Sequence, residues 1–491
     1  MCIACLLLFA TTVQAQDYLL FNRGVISAQN GYFSLGSNYH SAIHCSAFCS
    51  DADISFSQIN TAQGSYIKRK VLLEHFGYAQ AENYTLIADP LFHFELGKEI
   101  ETAESLFVNT RGIKVFADLY NRIQVSTVFY ENQAVFPKHI NDYYSVFRII
   151  PGEARVKPFG TGGYDWGSAY ALISFKATDW LYVEAGNEKN FIGEGYRSLI
   201  LSDYSPQYLH FKTIARFRNF FYMNMIGRTL NPNYNNITGN HPDWSENALY
   251  QHKMMNINYV GYNFNQYLQL SLFEASMFGV HVDFDKKATA IVPGFNELLH
   301  STNDSLHFLW GANMLLYPIE DIGIYAQLVF DSNASLSYQL GVKLYSAGIY
   351  GNIFARLEWN HVPVGMYRPL DDDNFWGHYN QPLAHPAGSG FSELLLQAGY
   401  SYGRIQLSAK AGFIQYKHGL SSQNVFAPSN LQNNSETVWH SDMNLAYLLN
   451  PSYNWFVYAG ASSWQLKGSG SVNVMPVLGM KTSLRNRYHD F

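Results

Sequence analysis

Charge is scarce in this chain: Asp, Glu, Lys and Arg make up only 14% of its 491 residues, against roughly 25% in soluble globular proteins. So few charges argue against a set of ordinary water-soluble domains, although the length alone suggests two to four of them. Long apolar runs are also missing. Beyond the extreme N-terminus no stretch of about 18 apolar residues occurs, which excludes transmembrane helices. Catalytic signatures are absent as well: there is no Gly-x-Ser-x-Gly elbow, no His-Glu-x-x-His pair and no recognisable nucleophile–base set. The expectation is therefore a non-enzyme that needs no cofactor. A net charge of −6 without a basic patch gives no sign of a nucleic-acid partner.

Aromatic residues are plentiful. Thirty-six Tyr, 34 Phe and 9 Trp bring them to 16% of the chain, the composition of a surface that faces lipid and needs interfacial anchors. A backbone in lipid must satisfy its hydrogen bonds as a helix or as a closed barrel. With helices excluded, the expected fold is all-β: a transmembrane antiparallel β-barrel.

The local patterns agree. Leu209, Phe211, Ala215 and Phe217 alternate with His210, Lys212, Arg216 and Arg218, as a strand with one lipid face requires. Ile405, Leu407, Ala409, Ala411 and Phe413 alternate likewise with polar residues, and so do Ile353, Ala355, Leu357 and Trp359. Connection lengths are sorted too. Tight turns are expected near Tyr120-Asn121, Thr178-Asp179, Arg218-Asn219, Asn265-Gln266, Pro318–Asp321, Ala347-Gly348, Gly403-Arg404 and Asn450–Ser452. Between them lie long polar connections: Asn132–Gly167, Lys189–Gln207, Asn231–His252, Met277–Leu306, Val362–Phe391 and Lys417–Trp439. Two shorter ones fall at Asp331–Ser335 and Lys467–Ser471. Counting from Leu91 gives roughly 18 strands, with 16 as the alternative, all short turns on one side and all long loops on the other. A soluble sandwich has no reason to sort its loops this way. The final amphipathic segment, Val472 to Ser483, precedes an aromatic last residue, Phe491, and is read as a barrel-insertion element.

Residues 1–15 read as a signal peptide: Ile3 to Phe9 is its apolar core, and Val13-Gln14-Ala15 its cleavage site. No Lys or Arg precedes that core, which places the expected start upstream. Residues 16–88 lack a sustained strand pattern and are taken as a periplasmic or plug segment, with the barrel over residues 89–491. Within this segment His40, His44, Cys45 and Cys49 have spacing compatible with a four-ligand zinc site. A local disulfide or two free thiols fit the same pair of cysteines in an oxidising periplasm, so no metal is assigned.

Four stretches carry a resemblance: Phe129–Pro137 (FYENQAVFP), Gly186–Leu199 (GNEKNFIGEGYRSL) followed by Leu201-Ser202-Asp203, Gly377–Pro386 (GHYNQPLAHP), and Asn486–Phe491 (NRYHDF). Together they resemble the capsule-assembly Wzi family, and more closely its gliding-motility RemB-like branch, from about Pro90 to Phe491. The resemblance implies an exported Gram-negative outer-membrane barrel linked to surface polysaccharide (capsule or exopolysaccharide) or to adhesin display. Its expected partners are outer-membrane lipid, that polysaccharide or a motility adhesin, and other outer-membrane proteins. A small-solute channel, or a subunit of a secretion machine, is the alternative.

Two dense polar stretches on the long-loop side supply the candidate site. Lys189, Asn190, Tyr196 and Arg197 offer charge and an aromatic platform to an anionic sugar. His378, Asn380, Gln381 and His385 offer imidazole and amide groups to sugar hydroxyls. Loops packed on themselves would use the same residues to pin neighbours, and the glycines of Gly186–Arg197 to turn. No βαβ context makes that stretch a phosphate loop. Asp371-Asp372-Asp373 could hold Ca²⁺ but has no supporting ligand spacing. Lumen-facing Arg122, Lys212, Arg216, Arg218, Arg356 and Lys410, with Glu358, give a basic balance suited to an acidic polymer.

Overall fold

The computed structural model describes residues 42–43, 65–231, 251–279, 307–332, 335–348, 351–367, 374–417, 436–467, 472–482 and 488–490. Two helices, α1 (Tyr66–Leu72) and α2 (Lys138–Phe147), accompany a large antiparallel sheet. Its strands are β1 (Gly77–Ala81), β2 (Tyr84–Lys98), β3 (Ser105–Leu119), β4 (Ile123–Val135), β5 (Lys157–Phe159), β6 (Gly163–Lys176), β7 (Leu181–Glu188), β8 (Tyr208–Phe217), β9 (Phe220–Asn231), β10 (Gln251–Asn263) and β11 (Leu268–Gly279). They continue as β12 (His307–Ile319), β13 (Ile322–Asp331), β14 (Leu336–Gly348), β15 (Gly351–Val362), β18 (Phe391–Tyr402), β19 (Ile405–Tyr416), β20 (Thr437–Asn450), β21 (Trp455–Leu466) and β22 (Asn473–Lys481). A separate hairpin, β16 (Gly377–His378) and β17 (Gln381–Pro382), stands apart from the wall. Leaving aside the short strands β1 and β5, eighteen strands form the wall, each paired with its neighbour and closed by β2 against β22.

Closure removes the sheet edges that a barrel in lipid cannot leave unpaired. Here it is shared. β22 covers only His93 to Gly97 of β2, and β1 covers Tyr84 to Ala88. Between them Pro90 has no N–H to pair, while Phe92 exchanges hydrogen bonds with the Thr482 backbone and hydroxyl. Among the described residues the sheet thus begins at Gly77, ahead of the expected boundary at residue 89. Near it α1 docks on the turn after β20, where Asn450 and Ser452 donate to carbonyls of Lys70, Val71, Leu73 and Glu74.

Alternation dictates the two faces. Leu209, Phe211 and Phe217 on β8 are exposed outward, while His210 and Lys212 are buried inward. Arg122 and Arg218 depart from the expected lumen set: both sit in exposed tight turns, Arg218 with a left-handed φ of 52°. The long connection expected from Asn132 to Gly167 is shorter, because β4 runs to Val135 and β6 starts at Gly163. One outward row is polar: Asn224, Asn258 and Glu274 are buried and bond one another, Asn258 donating to Glu274 at 3.1 Å.

Leu357, halfway along β15, is 49% exposed on the outer face. Leu357→Arg is expected to destabilise the barrel by roughly 2–4 kcal/mol if it meets the bilayer midplane. Gln406→Arg, on the inner face of β19, should cost far less in denaturant unfolding. Equal costs would mean the faces are misassigned.

The terminal segment also differs from expectation. The last strand ends at Lys481, and Tyr488, His489 and Asp490 turn into the lumen instead of extending the wall. Phe491, residues 1–15, the cluster of His40, His44, Cys45 and Cys49, and Asp371–Asp373 lie outside the described residues.

Candidate functional site

Part of the barrel's interior is filled by its own loops. Residues 136–156, 189–207 and the described parts of 363–390 fold inward from the long-loop rim and pack as a plug, which Ala42, Ile43 and Tyr488–Asp490 join. Ile43 bridges to Ile192, and Gly193 N–H donates to the Ala42 carbonyl at 2.8 Å.

Each inward turn in the 189–207 segment has a local cause. Gly195 lies against the wall, where a Cβ would stand 2.4 Å from the Glu358 carboxylate. That close approach lets the Tyr196 and Arg197 backbone N–H groups donate to Glu358 at 2.7 and 3.1 Å. The carboxylate also accepts from the Tyr325 hydroxyl and the Asn360 amide. Further along, the Ser198 hydroxyl donates to the Ile192 carbonyl and accepts from Ile200 and Leu201, folding the turn on itself.

Arg197 is the hub. Its guanidinium is fully buried, 2.9 Å from Glu393 and 3.2 Å from Asp490, and lies over the rings of Tyr196 and Tyr488. Burial opposes its charge, but Asp490 and Glu393 hold its pKa well above the ordinary value. Asp490 answers in kind: despite burial, Arg197 and Lys410 keep it well below the usual carboxylate range. Lys410 meets Asp490 at 2.6 Å, and Lys343 meets Glu194 at 2.7 Å. Each cation therefore faces a carboxylate, which is the condition for keeping buried charges ionised.

The other candidate residues are built into the same plug. Lys189 donates to the carbonyls of Gly152, Asp203 and Tyr204, and burial lowers its pKa to about 8. Asn190 accepts from Lys212, which also pairs with Glu184 at 2.6 Å. Tyr379 and Asn380, with φ of 51° and 57°, form the two-residue turn joining β16 to β17, a geometry that suits the twist of a hairpin. The turn sets His378 to accept from Leu230 N–H at Nδ1, leaving Nε2 to donate to the Gln207 carbonyl. Gln381 accepts from Gly152 N–H at 2.7 Å and donates to the Glu153 carbonyl at 2.6 Å. His385 faces Glu393 at 2.7 Å, and burial lowers its pKa against that carboxylate's pull.

The candidate residues are thus brought together, but inside. Of the two readings of these residues, packing of the loops on themselves describes Lys189, Asn190, Tyr196, Arg197, His378, Gln381 and His385 here, since all seven are buried. Asn380 is half-buried. The physical reason is that their donors and acceptors are turned to backbone and wall carboxylates, not to solvent. Sequence reasoning missed Glu194, Glu393 and Asp490, the acids that neutralise this network. A signal existed for Glu393, which stands at a lumen-facing position between apolar neighbours Phe391 and Leu395.

No family model matches the chain, and neither does a curated protein sequence. Among solved structures it is similar to Wzi of Escherichia coli, described as an outer-membrane protein involved in group 1 capsule assembly and a carbohydrate-binding β-barrel. The TM-score is 0.61 at 11% identity, over 95% of this chain and 99% of that one. The outer membrane protein OpdK of Pseudomonas aeruginosa gives a TM-score of 0.46 at 10% identity, over 82% of this chain and 99% of that one. A BenF-like porin of Pseudomonas fluorescens Pf-5 gives 0.45 at 9%, over the same shares. The fold is that of a Wzi-like β-barrel.

Proposed function

We propose that the protein is a non-enzymatic outer-membrane barrel that attaches or displays surface polysaccharide, with a gliding-motility adhesin as the alternative cargo. The observation that carries this reading is the plug. A lumen packed with hydrogen-bonded loops and paired charges suits a rigid scaffold better than a conduit. The likeness to a barrel described as carbohydrate-binding supports the polysaccharide half of the reading. The RemB-like motifs in the sequence support the motility half.

A second reading, a small-solute channel, is favoured by one observation. On β18 to β21 several lumen-facing residues of the short-turn halves, among them Ser401, Gln406, Ser408 and Asn444, are half-buried or exposed. Part of the lumen is therefore wet. Planar bilayers separate the two. The plugged scaffold is expected to pass almost no current, and deletion of its gene to reduce polymer retention or gliding. Steady porin-like steps with normal retention would favour the channel.

A further inference from the structure

Between β2–β3 and β19–β22 the plug leaves a cavity of about 310 Å³. That is room for on the order of ten waters at roughly 30 Å³ each, at the small end of ligand pockets. Its roof is α2 with the 488–490 segment: His139 stacks on Trp464 at 4.9 Å, and His489 meets Phe136 edge-on at 5.3 Å. Toward the short-turn end the inner wall is built of small residues, Gly399, Ser401, Ser408 and Gly460, all half-buried or exposed. The opposite wall carries Tyr259, Phe273, Tyr317 and Tyr325, all buried. The small side chains leave a path from the cavity to the short-turn end, which in outer-membrane barrels faces the periplasm.

His440 stands within electrostatic reach of the plug's Asp490 but makes no hydrogen bond to it. It lines the cavity at 4% exposure, and neither ring nitrogen has a hydrogen-bond partner among the described residues. Gly412 makes room for it, since a Cβ there would stand 2.7 Å from Nε2. A buried imidazole left unpaired is costly, and native structures seldom keep one without a reason. Asp442 and Asn444 follow at alternate positions of the same strand, so all three face inward, with Asn444 donating to Asp442 at 3.2 Å. Across the cavity the Tyr458 hydroxyl bonds His93 at 2.6 Å and also contacts Glu95.

Charge narrows the ligand. Glu95, Asp442 and Asp490 stand against Lys410 and Lys481, and Asp490 already pairs with Lys410 at 2.6 Å. Burial lowers the His139 pKa to about 4, so that ring is uncharged at neutral pH. An anion would meet carboxylates and a cation would meet ammonium groups. Among the described residues no three His, Cys, Asp or Glu side chains are placed to share a metal ion. What remains in plenty is hydrogen-bond donors and acceptors, interleaved, beside aromatic rings.

We propose that this cavity binds an uncharged, hydroxyl-rich ligand of about one sugar ring, which enters from the short-turn end and hydrogen-bonds His440. It rests on the carbohydrate reading above only for the choice of a saccharide among polyols.

The test is calorimetric titration of the full chain in an amine-oxide detergent, since glycoside detergents would compete. The probes are methyl glucoside, methyl galactoside and N-acetylglucosamine, with glucuronate and glucosamine as charged comparators. At least one neutral sugar is expected to bind tenfold or more tighter than either comparator. His440→Phe should weaken it by about tenfold, the worth of one good hydrogen bond, while His440→Gln stays within about threefold. Ser462→Tyr, which fills part of the cavity from another lining position, should also weaken binding. A gel shift between unheated and boiled samples checks that each variant is folded. No measurable neutral-sugar binding, or binding unchanged in both His440→Phe and Ser462→Tyr, would overturn the proposal. A glycan array keeps the two readings apart. Polymer capture that survives His440→Phe, with no small-sugar binding, removes the cavity site and leaves the surface reading standing. Small-sugar binding at His440 without polymer capture does the reverse.

Discussion

Arg197→Met is expected to destabilise the plug by about 3–5 kcal/mol, the cost of removing one partner from a buried ion pair. The methionine fills most of the space but leaves Glu393 and Asp490 facing each other's charge without the guanidinium between them. His385 and Asn360 still reach Glu393, and Lys410 still reaches Asp490, so the wall itself should assemble. Denaturant unfolding should show an early transition, and planar bilayers should show more current than the parent passes. Arg197→Lys keeps the charge but not the planar fork that spans two carboxylates, and should fall between the two. An unchanged unfolding curve with a closed lumen would show that the hub carries no stability. This outcome differs from that of a residue on an exposed sugar-binding loop, whose removal would weaken polymer retention and leave the barrel closed.

Glu358→Leu should be comparably severe, on the order of 3–5 kcal/mol. The carboxylate holds four donors: the backbone N–H groups of Tyr196 and Arg197, the Tyr325 hydroxyl and the Asn360 amide. Leucine satisfies none of them. Glu358→Gln keeps one acceptor oxygen and the shape, so it should recover much of the loss. Protease nicking within residues 189–207, measured on the folded barrel, reads the difference directly. Rapid nicking of Glu358→Leu with the Gln variant resistant is the expected result. Equal resistance of both would show that the segment is held by its apolar contacts alone.

The wall was legible in the sequence. Leu209 and Phe211 against His210 and Lys212, or Leu357 and Trp359 against Arg356 and Glu358, announce two faces because side chains alternate strictly along a strand. Turns such as Thr178-Asp179 and Gly403-Arg404 announce short reversals, and from these follow the strand count and the sorting of loops. The fate of the long loops was not legible. Lys189, Arg197, His378 and Gln381 look the same in a sequence whether they face water or a buried carbonyl, since hydropathy records a side chain's polarity and not its partner. Glu358 and Glu393 lie more than 150 residues from Arg197, and Asp490 nearly 300. Only the closure of the barrel brings those carboxylates around one guanidinium. The same holds for His440, whose missing partner is a property of the space around it. Alternation and turn chemistry are local, so the sequence by itself determined the barrel; charge pairing in the lumen joins distant strands, so the tertiary structure alone decided that the barrel is plugged.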